Sequence, residues 1–346
     1  MQNGQSQILD LFNADRIFKI PRYQRTYTWK EDNLKNFLED LVNQRGNKPY
    51  FLGTFLFHKQ KNREGEYELL DVVDGQQRLT TVIIFFKVLI EKLKELKSTS
   101  VTDKSYRRYI KDADGVYKLE LENEDNSFLS NYIFENNNSK SFETPSQKDL
   151  FFAKTYLREN IDNLSKDKLE NIYKILKSAT IINYIVNNLS DATQIFELLN
   201  DRGRKLTQLE GIKSFLMYKI SSLNLKDYEQ PLKIIQGCIS KIYRLIEKNK
   251  LNENDILRYH TIAFEDSNTE SYNSPSTFIK NKINLLFENK NDDKEIKEVI
   301  INYINRLQES FEIYSKIRLN EMGSPYLDNF FMIGKVGPFY PFLILH

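Results

Sequence analysis

One stretch constrains this chain more than any other: Asp71-Val72-Val73-Asp74-Gly75-Gln76-Gln77-Arg78-Leu79-Thr80-Thr81. Upstream, Tyr67 to Val73 is short and rich in Tyr, Leu and Val, which suits a buried strand. Downstream, Leu79, Val82, Ile83, Phe86, Ile90 and Leu93 recur at helical spacing, and Val88 and Leu89 widen the stripe. A polar turn must therefore join a buried strand to a buried helix. Chains with that unit fold as mixed α and β structure. The turn holds one Gly, one carboxylate, two amides and one guanidinium. A helix N-terminus carries unpaired N–H groups and partial positive charge, so it attracts anions. Arg78 adds a fork matched to phosphate oxygens, Gly75 permits close backbone approach, and Asp74 can hold a metal ion or orient water. The same composition also suits an ordinary strand-to-helix turn with an internal ion pair. The spacing fits neither a P-loop nor a dinucleotide fingerprint.

A second segment, Ile20 to Trp29 (Ile-Pro-Arg-Tyr-Gln-Arg-Thr-Tyr-Thr-Trp), interleaves aromatic and basic side chains. Residues 16–30 carry five basic groups and no acidic one. Such a pattern can clamp phosphates and stack on bases, and it is equally what a core-anchored loop would contain. Pro21 favours an extended start, and Thr28 to Glu31 reads as a capping box opening a helix with Leu34, Phe37, Leu38 and Leu41 on one face. Trp29 is expected to pack in the core. A third segment, Ile195 to Thr207, reads as a helix ending at Asn200-Asp201-Arg202-Gly203, then a basic tip, then a capping box at Thr207 to Glu210. A solvated charge run explains that tip as well as a site does.

The four blocks Ile-Pro-x-Tyr-Gln-Arg-x-Tyr-x-Trp, Phe51-Leu52-Gly53, Asp-Gly-Gln-Gln-Arg-Leu-Thr-Thr and Phe-Glu-x-Leu-Asn-x-Arg-Gly-x-x-Leu-Thr occur in that order over roughly residues 20–220. In this the chain resembles the N-terminal domain of GmrSD-type restriction endonucleases, the modification-dependent (Type IV) systems of anti-phage defence. The resemblance implies a ParB/sulfiredoxin-like fold that binds and hydrolyses a nucleoside triphosphate (NTP) with Mg²⁺. It implies Asp74, Gln76, Gln77 and Arg78 as catalytic residues, with Asp74 on the metal and Gln76 or Gln77 positioning water. Gly75, Thr80 and Thr81 would bind the nucleotide, with Arg78 and the amides of Leu79 to Thr81 on the phosphates. Asn200, Arg202 and Gly203 would close over it, and Tyr23, Gln24, Arg25 and Tyr27 would contact the base or modified DNA. A modified-DNA-binding module without hydrolysis is the alternative, and a direct nuclease ranks third. Family members commonly continue into a His-Asn-His nuclease domain. His58, His260 and His346 are far apart in sequence, so cleavage is expected to belong to a domain outside these residues.

Composition sets the remaining expectations. The 346 residues allow about two domains. A net charge of +2 means that any DNA contact must come from local patches. The single cysteine, Cys238, excludes an intrachain disulfide and suits a buried thiol. No apolar run is long enough for a membrane span and the start is polar, so a cytoplasmic protein without membrane contact is expected, in which an oligomer is permitted. The expected architecture is α+β. A small mixed-sheet domain (1–146), ending in the polar stretch 136–146, precedes a mainly helical domain (147–346). Within the latter, Thr180 to Val186 is expected to return as a strand to the first sheet. Hairpins are expected at 50–73 and 106–121, with Phe51, Phe55 and Phe57 of the first sharing one face. His260 is expected to be structural, and His58 too.

Overall fold

The computed structural model describes residues 4–44, 49–137, 141–200, 207–225, 227, 229–265, 273–319, 325–332 and 336–345. The chain divides into two compact units, Met1–Ala192 and Thr193–His346. The first is α+β and the second helical, as expected. Their junction lies at 192/193, well beyond the polar stretch at 136–146.

The first unit is built on a six-stranded mixed sheet of order β1-β6-β3-β4-β2-β5. Its strands are β1 (Gly4–Gln7), β2 (Arg16–Ile20), β3 (Phe51–Glu64), β4 (Tyr67–Asp74), β5 (Leu119–Leu121) and β6 (Thr180–Val186). β3 and β4 form the expected hairpin, turning at Gly65 with φ +60°. β6 does return, pairing parallel with β3 and antiparallel with β1. Its β-branched residues suit a central strand.

Two expectations at the sheet are corrected. Phe51 is 54% exposed while Phe55 and Phe57 are fully buried. Register shifts after Phe51 and after Leu56 break the simple alternation that would have put all three on one face. The hairpin expected at 106–121 is instead a helix, Asp103–Tyr109, followed by a lone Lys111–Tyr117 bridge and β5, which pairs parallel with β2. The side chain of Ser105 accepts the backbone N–H of Thr102 and starts that helix. Tyr109 and Ile110 are buried with it. The Asp112 carboxylate then accepts the N–H groups of Asp114 and Val116 and fixes the reversal.

The helices of the first unit include α1 (Ile8–Leu11), α2 (Glu31–Val42), α3 (Gln76–Glu95), α4 (Asp103–Tyr109), α5 (Asn126–Phe128), α6 (Pro145–Asp162) and α7 (Lys166–Lys177). α3 is buried almost all round, Leu79 to Ile90 being inaccessible on every face. A helix of that kind belongs inside a core. It packs against α4, α6 and α7. Phe18, Phe57, Leu70 and Val72 of the sheet join it in one apolar cluster with Phe86 and Leu169, Ile172, Tyr173 and Leu176 of α7. The unit therefore hangs its core on the helix that the Gly75 turn starts.

α8 (Leu189–Asn200) leads into the second unit. There α9 (Gln208–Ser222) opens with the expected capping box, Thr207 N–H to Glu210 at 2.9 Å, and buries Leu209, Ile212, Leu216 and Ile220. α10 (Glu229–Asn249), α11 (Glu253–Phe264), α12 (Pro275–Glu288) and α13 (Asp293–Arg318) follow. The α10 stripe Leu232, Ile235, Ile239 and Ile242 is buried, and α10 packs along α13. Cys238 is buried and donates to Asn305 at 3.3 Å. His260 is fully buried, its Nδ1 2.8 Å from Ser310 Oγ, so it is a structural histidine. Pro275 begins α12. Among the described residues no helix is long and apolar enough to cross a membrane.

Candidate functional site

Gly75 joins β4 to α3 with φ +87° and ψ 9°, a left-handed conformation that suits glycine. Space demands glycine as well: an added Cβ would lie 2.6 Å from the Phe55 ring and 3.2 Å from the Thr54 carbonyl. Gly75 is the N-cap residue of α3 and brings no capping side chain. Its carbonyl accepts the Leu79 N–H at 2.9 Å. The amides that a helix leaves unpaired are those of its first turn, here Gln76, Gln77 and Arg78. The expectation that Leu79 to Thr81 offer theirs is therefore corrected: Leu79 already closes the first helical ring. Thr80 and Thr81 are also buried, with Thr81 Oγ1 bonded to Gln77 O at 2.9 Å.

Arg78 lies against β3. Its Nη1 donates to Thr54 O at 3.2 Å, and its guanidinium stands 5.5 Å from the Phe55 ring centroid. Gly53 makes this possible. It has φ +115°, and an added Cβ would sit 2.1 Å from Arg78 Nη1. Tyr50 feels the same charge: burial and then the Asp40 carboxylate push its phenol up to about 12, and Arg78 opposes them. Gly53 went unassigned on sequence alone. The signal for it was a glycine inside a strand pattern, which marks close approach of another group.

The Ile20–Trp29 segment is tied to the same turn by side-chain bonds. Gln24, buried, donates to Val73 O at 2.9 Å. Gln77 grips the segment at two points, its Nε2 donating to Thr26 O at 2.9 Å and its Oε1 accepting Thr28 N–H at 2.8 Å. Tyr27, also buried, meets Thr81 Oγ1 at 2.8 Å. Burial, the largest influence, raises the Tyr27 phenol well above its ordinary range. Tyr23 is buried too, and Arg25 is half-buried. The Thr28 N–H is thus taken by Gln77, and the N-cap position of α2 falls to Lys30. α2 starts two residues later than expected, at Glu31, with Asn33 accepting the Lys30 N–H at 3.2 Å. Trp29 packs against the core beside Phe37, as expected.

Gln77 therefore spends both ends of its amide on the loop. Gln76 does not: its Oε1 is buried without a hydrogen-bond partner. A buried acceptor in that state costs about 1–3 kcal/mol unless a donor arrives. Asp74 ends β4, half-buried beside Gly75. Among the described residues no group of three or more His, Cys, Asp or Glu side chains could hold a metal. Elsewhere on the sheet His58 Nδ1 lies 3.2 Å from Asp71 Oδ2 in mid-strand. Of the later loop, Asn200 closes α8, while its side chain and all of Arg202 and Gly203 lie outside the described residues.

Three of the four sequence blocks thus meet at one strand-to-helix turn. The sequence profile of the family described as GmrSD restriction endonuclease, N-terminal domain, matches residues 8–217. No curated protein matches the chain.

Proposed function

This chain belongs to the GmrSD restriction endonuclease N-terminal domain family, and from that premise we propose that it is the nucleotide-dependent sensor module of a modification-dependent DNA restriction system in anti-phage defence. The ligand is an NTP whose phosphates sit at the Gly75 turn. One observation carries the reading: Arg78, lodged over Gly53 with its guanidinium on Thr54 O, stands in the first turn of a buried twenty-residue helix that Gly75 starts. A phosphate there meets a guanidinium, the first-turn amides and the dipole of α3 together.

Bound Mg²⁺ would screen the charge developing on the phosphates, and Asp74 is the residue to hold it. Gln76, whose carbonyl oxygen has no donor among the described residues, is placed to orient a water, whereas Gln77 holds the 21–30 loop in position. Phosphoryl transfer asks mainly for such positioning and charge stabilisation. The burial of Tyr23, Gln24 and Tyr27 argues for a scaffolding part for these three. Arg22 and Arg25, with exposed and half-buried side chains, are the better candidates on this loop for DNA phosphates. Strand cleavage would fall to a His-Asn-His nuclease domain acting with this one, and the fold expected by resemblance is ParB/sulfiredoxin-like.

Equilibrium binding and turnover of ATP, GTP, CTP and UTP test the reading. Arg78→Ala should weaken the preferred NTP at least tenfold, and Asp74→Asn should abolish Mg²⁺-dependent turnover while the protein stays folded. If both variants match the parent in affinity and rate, the pocket assignment falls. Salt-dependent DNA binding without NTP turnover would favour the modified-DNA-binding module.

A further inference from the structure

The first unit carries a cleft well away from the Gly75 turn. It has two adjoining lobes, about 390 and 350 Å³, which share Asn136, Lys154 and Arg158 at their waist. The first lobe is walled by α3 from Val88 to Glu95, the second by Phe151 and Thr155 of α6. Glu91 stands sixteen residues beyond Gly75, about 24 Å along α3.

Among the described residues the charges at this cleft form ion pairs except for Lys154 and Glu159. Lys87, fully buried, is bonded to Glu91 at 2.9 Å and to the Asn136 side chain, whose Nδ2 reaches the other Glu91 oxygen at 2.8 Å. Arg158 meets Glu95 at 2.6 Å through Nη2 and Asp162 at 2.9 Å through Nε. Lys92 joins Asp162 and Lys94 joins Asp103. Lys154 has no such partner among the described residues: its ammonium donates to the Tyr132 carbonyl at 2.6 Å, and no carboxylate lies within ion-pair reach. Tyr132 belongs to a π-helical turn, Leu129–Phe134, a local form common at ligand sites. An ammonium has three donors. One is used, and the cleft is open beside it. Glu159, on the second lobe, is the remaining carboxylate there.

Both lobes fall in the size range of small-molecule sites. We propose that this cleft is a second ligand site, taking the phosphate of a nucleotide-sized molecule at the Lys154–Arg158 waist and its ring system in the Phe151 lobe. The phosphate supplies the counter-charge that Lys154 lacks among the described residues. Phe151 already edges Phe142 at 5.5 Å and extends the apolar wall. Burial, with nearby Lys87 adding to it, pulls Lys154 down to about 8. A share of its amine is therefore unprotonated in neutral solution, which makes it chemically addressable. The site is independent of the NTP reading at Gly75.

Pyridoxal 5′-phosphate, a phosphate-bearing aromatic aldehyde, is the probe. The Lys154 amine adds to its aldehyde carbon, water leaves, and hydride from borohydride fixes the imine as a secondary amine that peptide mass spectrometry locates. On the full chain, Lys154 should label at least tenfold faster than exposed lysines such as Lys35 and Lys290. Adenosine 5′-monophosphate or a 5′-phosphorylated oligothymidylate should protect it. Stronger protection by the nucleotide identifies a free nucleotide as the ligand, and stronger protection by the oligonucleotide identifies a strand end. Arg158→Gln should weaken protection tenfold, and Arg78→Ala should leave it unchanged. Should Arg158→Gln unfold, Thr155→Tyr decides, because it fills the second lobe without touching an ion pair and should abolish protection. Labelling at the rate of exposed lysines, or labelling that neither phosphate ligand reduces, overturns the proposal.

Discussion

Gly53→Ala tests the site's architecture from outside its obvious chemistry. The new Cβ would lie 2.1 Å from Arg78 Nη1 and 2.7 Å from Cζ, so the guanidinium must leave. A flexible side chain moves cheaply; the cost lies in what it gives up. Arg78 would lose a charge-assisted bond to Thr54 O and its place over Phe55. Backbone strain adds to this, since φ at residue 53 is +115° and an L-residue held in such a region costs of order 1–3 kcal/mol. Together about 3 kcal/mol is expected, a fall of roughly 6–12 °C in the melting of a unit this size. The single tryptophan, Trp29, lies in the first unit, so its fluorescence reports that unit's transition. The decisive comparison repeats Gly53→Ala in an Arg78→Ala background. There the collision is gone and only strain remains, so the substitution should cost about 1–2 kcal/mol less. NTP affinity should fall in Gly53→Ala as is expected for Arg78→Ala. Equal destabilisation in both backgrounds would refute the claim that residue 53 acts through the guanidinium.

Two further substitutions follow from the same geometry. Gln77→Ala removes both bonds to the 21–30 loop and strands Thr26 O and Thr28 N–H; a loss of about 1–3 kcal/mol and faster tryptic cutting at Arg22 and Arg25 are expected, and unchanged proteolysis would argue that other contacts hold the loop. His260 is held neutral by burial, and then by Arg306 and Lys282, at about 3 against an ordinary 6.5. The unfolded chain takes up a proton below pH 6.5 that the folded chain refuses. Stability of the second unit is therefore full above that pH and falls as pH drops toward 3, by up to ~1.4 kcal/mol per pH unit. Circular dichroism melts of His260→Leu from pH 7 to pH 4 should show a lower starting stability and a flatter decline.

Local signals in the chain were strong where one short segment contains the whole cause. The Tyr67–Asp74 strand, the Gly75 turn and α3 follow from apolar spacing and one glycine, and so does the Thr207 capping box. β6 was legible from its β-branched run. Reading failed where a competing local bond or a bulge intervened. The Thr102–Ser105 cap made a helix of an expected strand, Gln77 took the Thr28 N–H that the expected capping box would have used, and a register shift after Phe51 turned that ring outward. The two compact units divide at 192/193 and not at the polar stretch, because a polar stretch marks a loop whereas a shared core joins elements: α6 and α7 pack with α3.

The sequence by itself determined that a strand, a left-handed glycine and a buried helix would present a guanidinium at a helix N-terminus, because those preferences act over a few residues. Only the tertiary structure decided which of the neighbouring polar groups remain available. Leu79, Gln77 and Thr81 look like site residues in the sequence and are consumed by bonds within the fold, whereas Gly53, far off in sequence, makes the room that Arg78 occupies. Hydrogen-bond partners and excluded volume are properties of three-dimensional neighbours, and spacing along a chain does not record them.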